Sequence, residues 1–154
     1  DVGSYQRIRN TLEQKAGQIN GARSEVDMVP IRYVNRGYPR QELFGIYRSA
    51  HVGLVTPLRD GMNLVAKEFV MAQDPDDPGV LILSEFAGAA EQLSDTLIVN
   101  PHDTYRVAEV LYKALTMPLE ERQERWEKLR QTVVDQDISW WREKFLRDLG
   151  VEAG

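Results

Sequence analysis

The sequence predicts an α/β fold built on a doubly wound parallel sheet. Three observations carry this. Amphipathic helices alternate with short apolar strands, one helix–strand unit roughly every 25–30 residues. Val80-Leu81-Ile82-Leu83 is a continuous apolar run of strand length, as expected of a parallel strand covered on both faces. The apolar segment from His51 to Pro57 runs through a short polar loop into a helix, the order that builds ligand sites in open α/β sheets.

The elements follow in order. Tyr5, Ile8, Leu12, Ala16 and Ile19 recur at three- and four-residue spacing and predict an opening amphipathic helix. Val29, Ile31 and Tyr33 alternate with Pro30, Arg32 and Val34 and predict a strand. Pro30 has no N–H for a ladder, so that strand belongs at a sheet edge. A helix over 40–49 places Leu43, Ile46 and Tyr47 on one face, and His51–Pro57 reads as a short buried strand. The next helix starts near Leu64 and stops before the turn Asp74-Pro75-Asp76-Asp77-Pro78-Gly79. After the Val80–Leu83 strand come a short helix around 87–93 and a strand at Leu97–Val99. Asp103 reads as the N-cap of the helix bearing Val107, Val110, Leu111 and Ala114. Helices at about 119–135 and 138–149 start at Pro118 and Asp137.

The 154 residues have the length of one domain. With 19 Lys+Arg against 24 Asp+Glu the net charge is −5, so no nucleic-acid partner is expected. No apolar run reaches the roughly 18 residues of a membrane span. The absence of cysteine excludes disulfides, thiolate metal sites and a cysteine nucleophile, and two histidines cannot build a multi-histidine metal site. No cofactor and no metal are therefore expected. His51 and His102 read as structural or solvated. Trp140 and Trp141, with Phe145 and Leu149, read as helix packing rather than a sugar platform, and Glu120–Arg125 as a solvated helix face. The carboxylates of Asp74–Asp77 lack calcium-loop spacing and read as a turn.

A parallel α/β layer ordinarily opens on a strand, whereas this chain opens at Asp1 on a helix. In a sheet of order 3-2-1-4-5-6 the Pro30 strand would be the third, at the edge. The expectation is therefore a sheet without its first two strands, in the later part of a larger protein.

The chemistry concentrates in Thr56-Pro57-Leu58-Arg59-Asp60-Gly61-Met62-Asn63-Leu64-Val65-Ala66-Lys67-Glu68. With Asn63 as N-cap, the amides of Leu64, Val65 and Ala66 lack intrahelical partners and offer a phosphate site. Gly61 allows close approach of a ligand to backbone. Glu68 lies one turn further, about 6 Å along the axis, where a carboxylate accepts from ribose hydroxyls. Asp60 stands on the other side, suited to sugar hydroxyls. On spacing alone, an Asp-Gly pair ahead of a helix is most often a plain turn and a Glu on a helix most often solvated.

The block Arg59–Glu68 resembles the donor-binding signature of the trehalose-phosphate synthases. Leu83-Ser84-Glu85-Phe86-Ala87-Gly88-Ala89-Ala90 resembles their next strand–helix turn, and Ile98–Pro101 and Ala114–Pro118 match as well. The resemblance runs from about Tyr5 to Leu149. It implies the C-terminal part of a GT-B glycosyltransferase, with Rossmann-like layers. It divides the chain into 1–136, a partial nucleotide-sugar-binding domain, and 137–154, a helix crossing back to an N-terminal domain outside this chain. The implied reaction is retaining, metal-free transfer of glucose from UDP-glucose to glucose 6-phosphate, giving trehalose 6-phosphate and UDP. By resemblance Asp60 is the catalytic-site carboxylate and, with the amides of Gly61, Met62 and Asn63, holds the donor glucose. The UDP set is Tyr38 (against uracil), Leu64 and Val65 (diphosphate), Ala66, Lys67 and Glu68 (ribose). The family's diphosphate-clamping Arg and Lys and its acceptor residues fall upstream of Asp1, so the chain alone is expected to lack synthase activity. A cytoplasmic location follows from the absent signal peptide and from nucleotide-sugar chemistry, and homo-oligomer formation is left open. The alternatives are a sibling enzyme such as a glucosylglycerol-phosphate synthase, or a non-catalytic nucleotide-sugar-binding domain.

Overall fold

The computed structural model describes residues 2–150. The chain divides into two units, Asp1–Tyr38 and Pro39–Gly154.

The first unit is built on α1 (Val2–Arg23). The predicted helix is there, with its apolar stripe left open: Tyr5 is 76% and Leu12 51% exposed, while Ala16 is buried. The strand predicted at 29–34 is absent, and the hydrogen bonds say why. Pro30 has no N–H to give. The next residue spends both its backbone groups on one side chain: Asn20 Nδ2 donates to Ile31 O at 2.8 Å and Ile31 N donates to Asn20 Oδ1 at 2.9 Å. An extended segment whose amide and carbonyl are already paired has no ladder to offer. Among the described residues, the only pairing nearby is an antiparallel bridge between Glu25 and Met28.

The second unit holds α2 (Arg40–Ser49), β1 (Val52–Val55), α3 (Leu64–Ala72), β2 (Val80–Ser84), a 3-10 turn (Gly88–Glu91), β3 (Leu97–Val99), α4 (Thr104–Leu115), α5 (Leu119–Asp135) and α6 (Ile138–Asp148). The three strands form one parallel sheet in the order β1-β2-β3. Val52 pairs with Val80 and Val55 with Leu83; Ile82 pairs with Leu97 and Ser84 with Val99. β2 is central and wholly buried, as its apolar run requires. Its side chains alternate. Leu81 and Leu83 join Ala66, Phe69 and Val70 of α3 and Trp126 and Leu129 of α5. Val80 and Ile82 turn the other way, onto Leu97, Val99, Val110, Ala114 and Met117. A strand with period two and helices on both faces is the doubly wound layer the sequence predicted.

β1 departs from expectation. It was predicted buried, but Leu54 is 47% exposed, because β1 is an edge strand of this sheet. The helix starts agree closely. Asp103 accepts from Arg106 N and Asp137 from Trp140 N, each at 2.9 Å.

Candidate functional site

The loop between β1 and α3 lies at the carboxyl ends of the strands, where ligands bind in open parallel sheets. It is anchored to the segment after β2. Asp60 N donates to Phe86 O (3.2 Å), Gly88 N to Asp60 O (2.9 Å) and Ala89 N to Met62 O (2.7 Å). Gly88 makes this possible, because a Cβ there would stand 2.2 Å from the Gly61 carbonyl oxygen.

Asp60 and Asn63 shape the loop from inside. Asp60 Oδ1 accepts from Met62 N and Oδ2 from Asn63 Nδ2, both at 3.0 Å. Asn63 sits in the left-handed region (φ 74°), which Asn tolerates better than most residues. Its Oδ1 caps α3 by accepting from Ala66 N at 3.0 Å. Two amides of the predicted set are thereby occupied, those of Met62 and Ala66. Among the described residues, the amides of Leu64 and Val65 find no protein acceptor. They stand at the positive end of the α3 dipole, on half-exposed residues. The predicted anion site narrows to these two amides.

Glu68 lies one turn along α3, its carboxylate partly buried, with Arg40 Nη2 3.8 Å from its Oε1. Tyr47, from α2, packs edge-on against Phe69, ring centroids 6.4 Å apart. Burial, and then the charge of Glu68, push the Tyr47 hydroxyl above the ordinary tyrosine value. Lys67 is half-buried, and desolvation holds its ammonium below the usual lysine range. Tyr38, the remaining residue of the predicted UDP set, is half-buried at the end of the first unit, with the Arg36 guanidinium 4.7 Å from its ring centroid.

Two openings adjoin the loop. One, about 210 Å³, lies between Gly61, Met62 and Gly88 on one side and Trp140, Trp141 and Lys144 of α6 on the other. The second, about 220 Å³, is lined by Met62, Leu64 and Lys67 together with Gln136, Ile138 and Trp141. Trp141 does stack on Phe145 within α6 (5.2 Å, 10°), as packing residues do. Sequence reasoning nevertheless missed that α6 brings both tryptophans to the loop. It also missed Arg40. Its spacing gave no sign of either, since the first depends on where α6 folds back and the second on a contact across two helices.

The family model for glycosyltransferase family 20 matches residues 1–150. The chain belongs to glycosyltransferase family 20. A trehalose-6-phosphate synthase of Sinorhizobium fredii is 54% identical over 149 residues, covering 97% of this chain and 32% of that relative. The chain thus spans about a third of the length of the curated relatives it matches. Among solved structures, a UDP-forming α,α-trehalose-phosphate synthase from Burkholderia xenovorans in complex with glucose 6-phosphate superposes with a TM-score of 0.91 at 53% identity, covering 96% of this chain and 33% of that one. An E. coli structure bound with UDP-2-fluoro glucose gives a TM-score of 0.91 at 51% identity, with 97% and 33% coverage. In family 20 terms the parallel layer described above is the Rossmann-like layer of a GT-B glycosyltransferase. No helix among the described residues is long and apolar enough to cross a membrane.

Proposed function

We propose that this family 20 chain carries the donor half of a retaining glucosyltransferase. The parent enzyme moves glucose from UDP-glucose to glucose 6-phosphate and releases trehalose 6-phosphate and UDP. The observation that carries the reading is the pair of unengaged amides of Leu64 and Val65 at the N-terminus of α3, flanked by Asp60 and Glu68. They suit the diphosphate. Glu68, one turn on, suits the ribose, and Asp60 with the Gly61–Asn63 loop suits the glucose.

The chemistry follows from that placement. Breaking the C1–O bond of the donor leaves positive charge on the sugar ring and negative charge on the departing diphosphate. Amides fixed at a helix N-terminus stabilise the leaving charge without reorganising. Asp60 already accepts two hydrogen bonds from its own loop and keeps lone pairs for sugar hydroxyls. It acts in this reading by orienting the glucose and stabilising its developing charge. Same-face attack, with the leaving phosphate helping to deprotonate the acceptor, gives retention without a second carboxylate nucleophile. The acceptor-binding residues belong to an N-terminal GT-B domain, and a cytoplasmic location fits substrates that are nucleotide sugars and sugar phosphates.

Calorimetry with UDP, UDP-glucose and ADP-glucose tests the donor site. Binding of UDP-glucose that is weakened about tenfold or more by Glu68→Ala is expected, the size of losing a pair of hydrogen bonds to a charged group. Indifference of a binding-competent chain to that substitution overturns the assignment of Glu68.

A further inference from the structure

α2 begins with a cation at the end of the helix where the dipole disfavours one. Arg40 is its first residue, and positive charge there opposes the partial positive charge of the free amides. Its guanidinium reaches across to α3, with Nη2 3.8 Å from Glu68 Oε1. It also lies over the Phe44 ring, 5.6 Å from the centroid. Phe44 is one turn along from Arg40, and Tyr47, whose hydroxyl feels the charge of Glu68, is nearly two turns along. Positions i, i+4 and i+7 share one helix face. That face packs on α3, and Glu68 is the carboxylate that both its cation and its phenol sense. The Arg40 side chain is 78% exposed, so the pair adds little to folding stability. Its effect on where the carboxylate points is more direct. A free glutamate explores several rotamers, and holding one costs entropy that must come out of ligand binding.

We propose that Arg40 is a positioning residue for the nucleotide site: braced on Phe44, it holds the Glu68 carboxylate in the orientation that accepts from the vicinal ribose hydroxyls. This rests on the reading of Glu68 as the ribose acceptor. Arg40 acts through Glu68 and does not itself bind the nucleotide.

The test is a double-mutant cycle on the whole chain, read by calorimetry with UDP and with 2′,3′-dideoxy-UDP. Arg40→Ala is expected to weaken UDP about three- to fivefold, the scale of an exposed ion pair. Arg40→Lys restores part of this, and the melting temperature barely moves. In the Glu68→Ala background the same substitution has no further effect, and with dideoxy-UDP the loss disappears. If Glu68→Ala leaves UDP binding unchanged, the ribose reading itself fails. If Glu68→Ala weakens binding and Arg40→Ala does not, the positioning role fails and the ribose reading stands. An Arg40→Ala loss that persists undiminished beside Glu68→Ala, or with dideoxy-UDP, also overturns it, because Arg40 would then act on the nucleotide directly.

Discussion

Asn63 concentrates the demands of the β1–α3 loop in one residue. It must adopt a left-handed backbone, donate to Asp60 and cap α3 through its amide oxygen. Alanine fails all three. Asn63→Ala is expected to cost about 1–3 kcal/mol, the sum of a lost cap and a strained φ. Asn63→Gly keeps the backbone at ease and forfeits only the side-chain bonds, so it should cost under about 1 kcal/mol. Urea denaturation of the two variants separates the terms, and equal losses would show that the left-handed φ contributes nothing. Gly88 makes the complementary point from the facing segment. The Cβ of Gly88→Ala would meet backbone of Gly61 at 2.2 Å, which no rotamer can relieve. That substitution should displace the loop and weaken UDP binding, and an unchanged affinity would show that the loop yields without harm. Lys67 adds a pH dependence. Its folded pKa lies below its unfolded value, so at neutral pH the chain carries the full penalty of the desolvated ammonium. The penalty is relieved as pH rises through the folded value towards the ordinary 10.5. Lys67→Met should therefore be more stable than its parent at pH 7, by a margin that shrinks as pH rises across that range. Tyr47 shifts the opposite way in the alkaline range but is common to both chains, so the difference between their denaturation curves isolates Lys67.

Among the elements, the turn after α3 is held more firmly than a run of five acidic and proline residues suggests. Arg122 reaches from α5, with Nη1 2.6 Å from both the Pro78 carbonyl and Asp77 Oδ1, its stem buried. Gln73 donates to Tyr47 O and Phe69 O and accepts from Gly79 N. Trp126 Nε1, one turn beyond Arg122, donates to Val70 O at 2.9 Å. These bonds fix α5 against the end of α3, whose other end meets the β1–α3 loop. Arg122→Ala should lower stability by about 1–3 kcal/mol, since a buried carbonyl loses its donor. Adding Asp77→Ala to it should cost almost nothing more, because the pair is already gone; additive losses in urea melts would contradict this. The same elements mark what the sequence made legible. Helix starts were readable at Asn63, Asp103 and Asp137 because caps act within three residues, and β2 was readable because burial on both faces leaves an uninterrupted apolar run. The false strand at 29–34 failed through Asn20, eleven positions from Ile31, a pairing that no local pattern encodes. Residues Asp60 to Glu68 stood out in the sequence as a candidate site because loop, cap and first turn are contiguous. Arg40 and the α6 tryptophans did not, since they reach it only through tertiary packing.

At the scale of the whole molecule, the question is what a chain spanning a third of its relatives' length can do. Glucosyl transfer needs a bound donor, a bound acceptor and compensation of the diphosphate charge as the bond breaks. The second unit supplies a loop, two open amides and flanking carboxylates, on a chain of net charge −5. An anionic ligand therefore meets little long-range attraction and depends on local donors. On the proposed reading, the cationic clamp of the diphosphate and the residues that hold the acceptor are supplied by the two thirds of a relative's length that this chain does not span. Residues 1–154 on their own should thus bind UDP more weakly than a complete family member and should form no trehalose 6-phosphate from UDP-glucose and glucose 6-phosphate. Product assays on the purified chain check this directly. Measurable trehalose 6-phosphate would mean that the donor half suffices for the chemistry, and that the cationic clamp and acceptor domain serve affinity rather than catalysis.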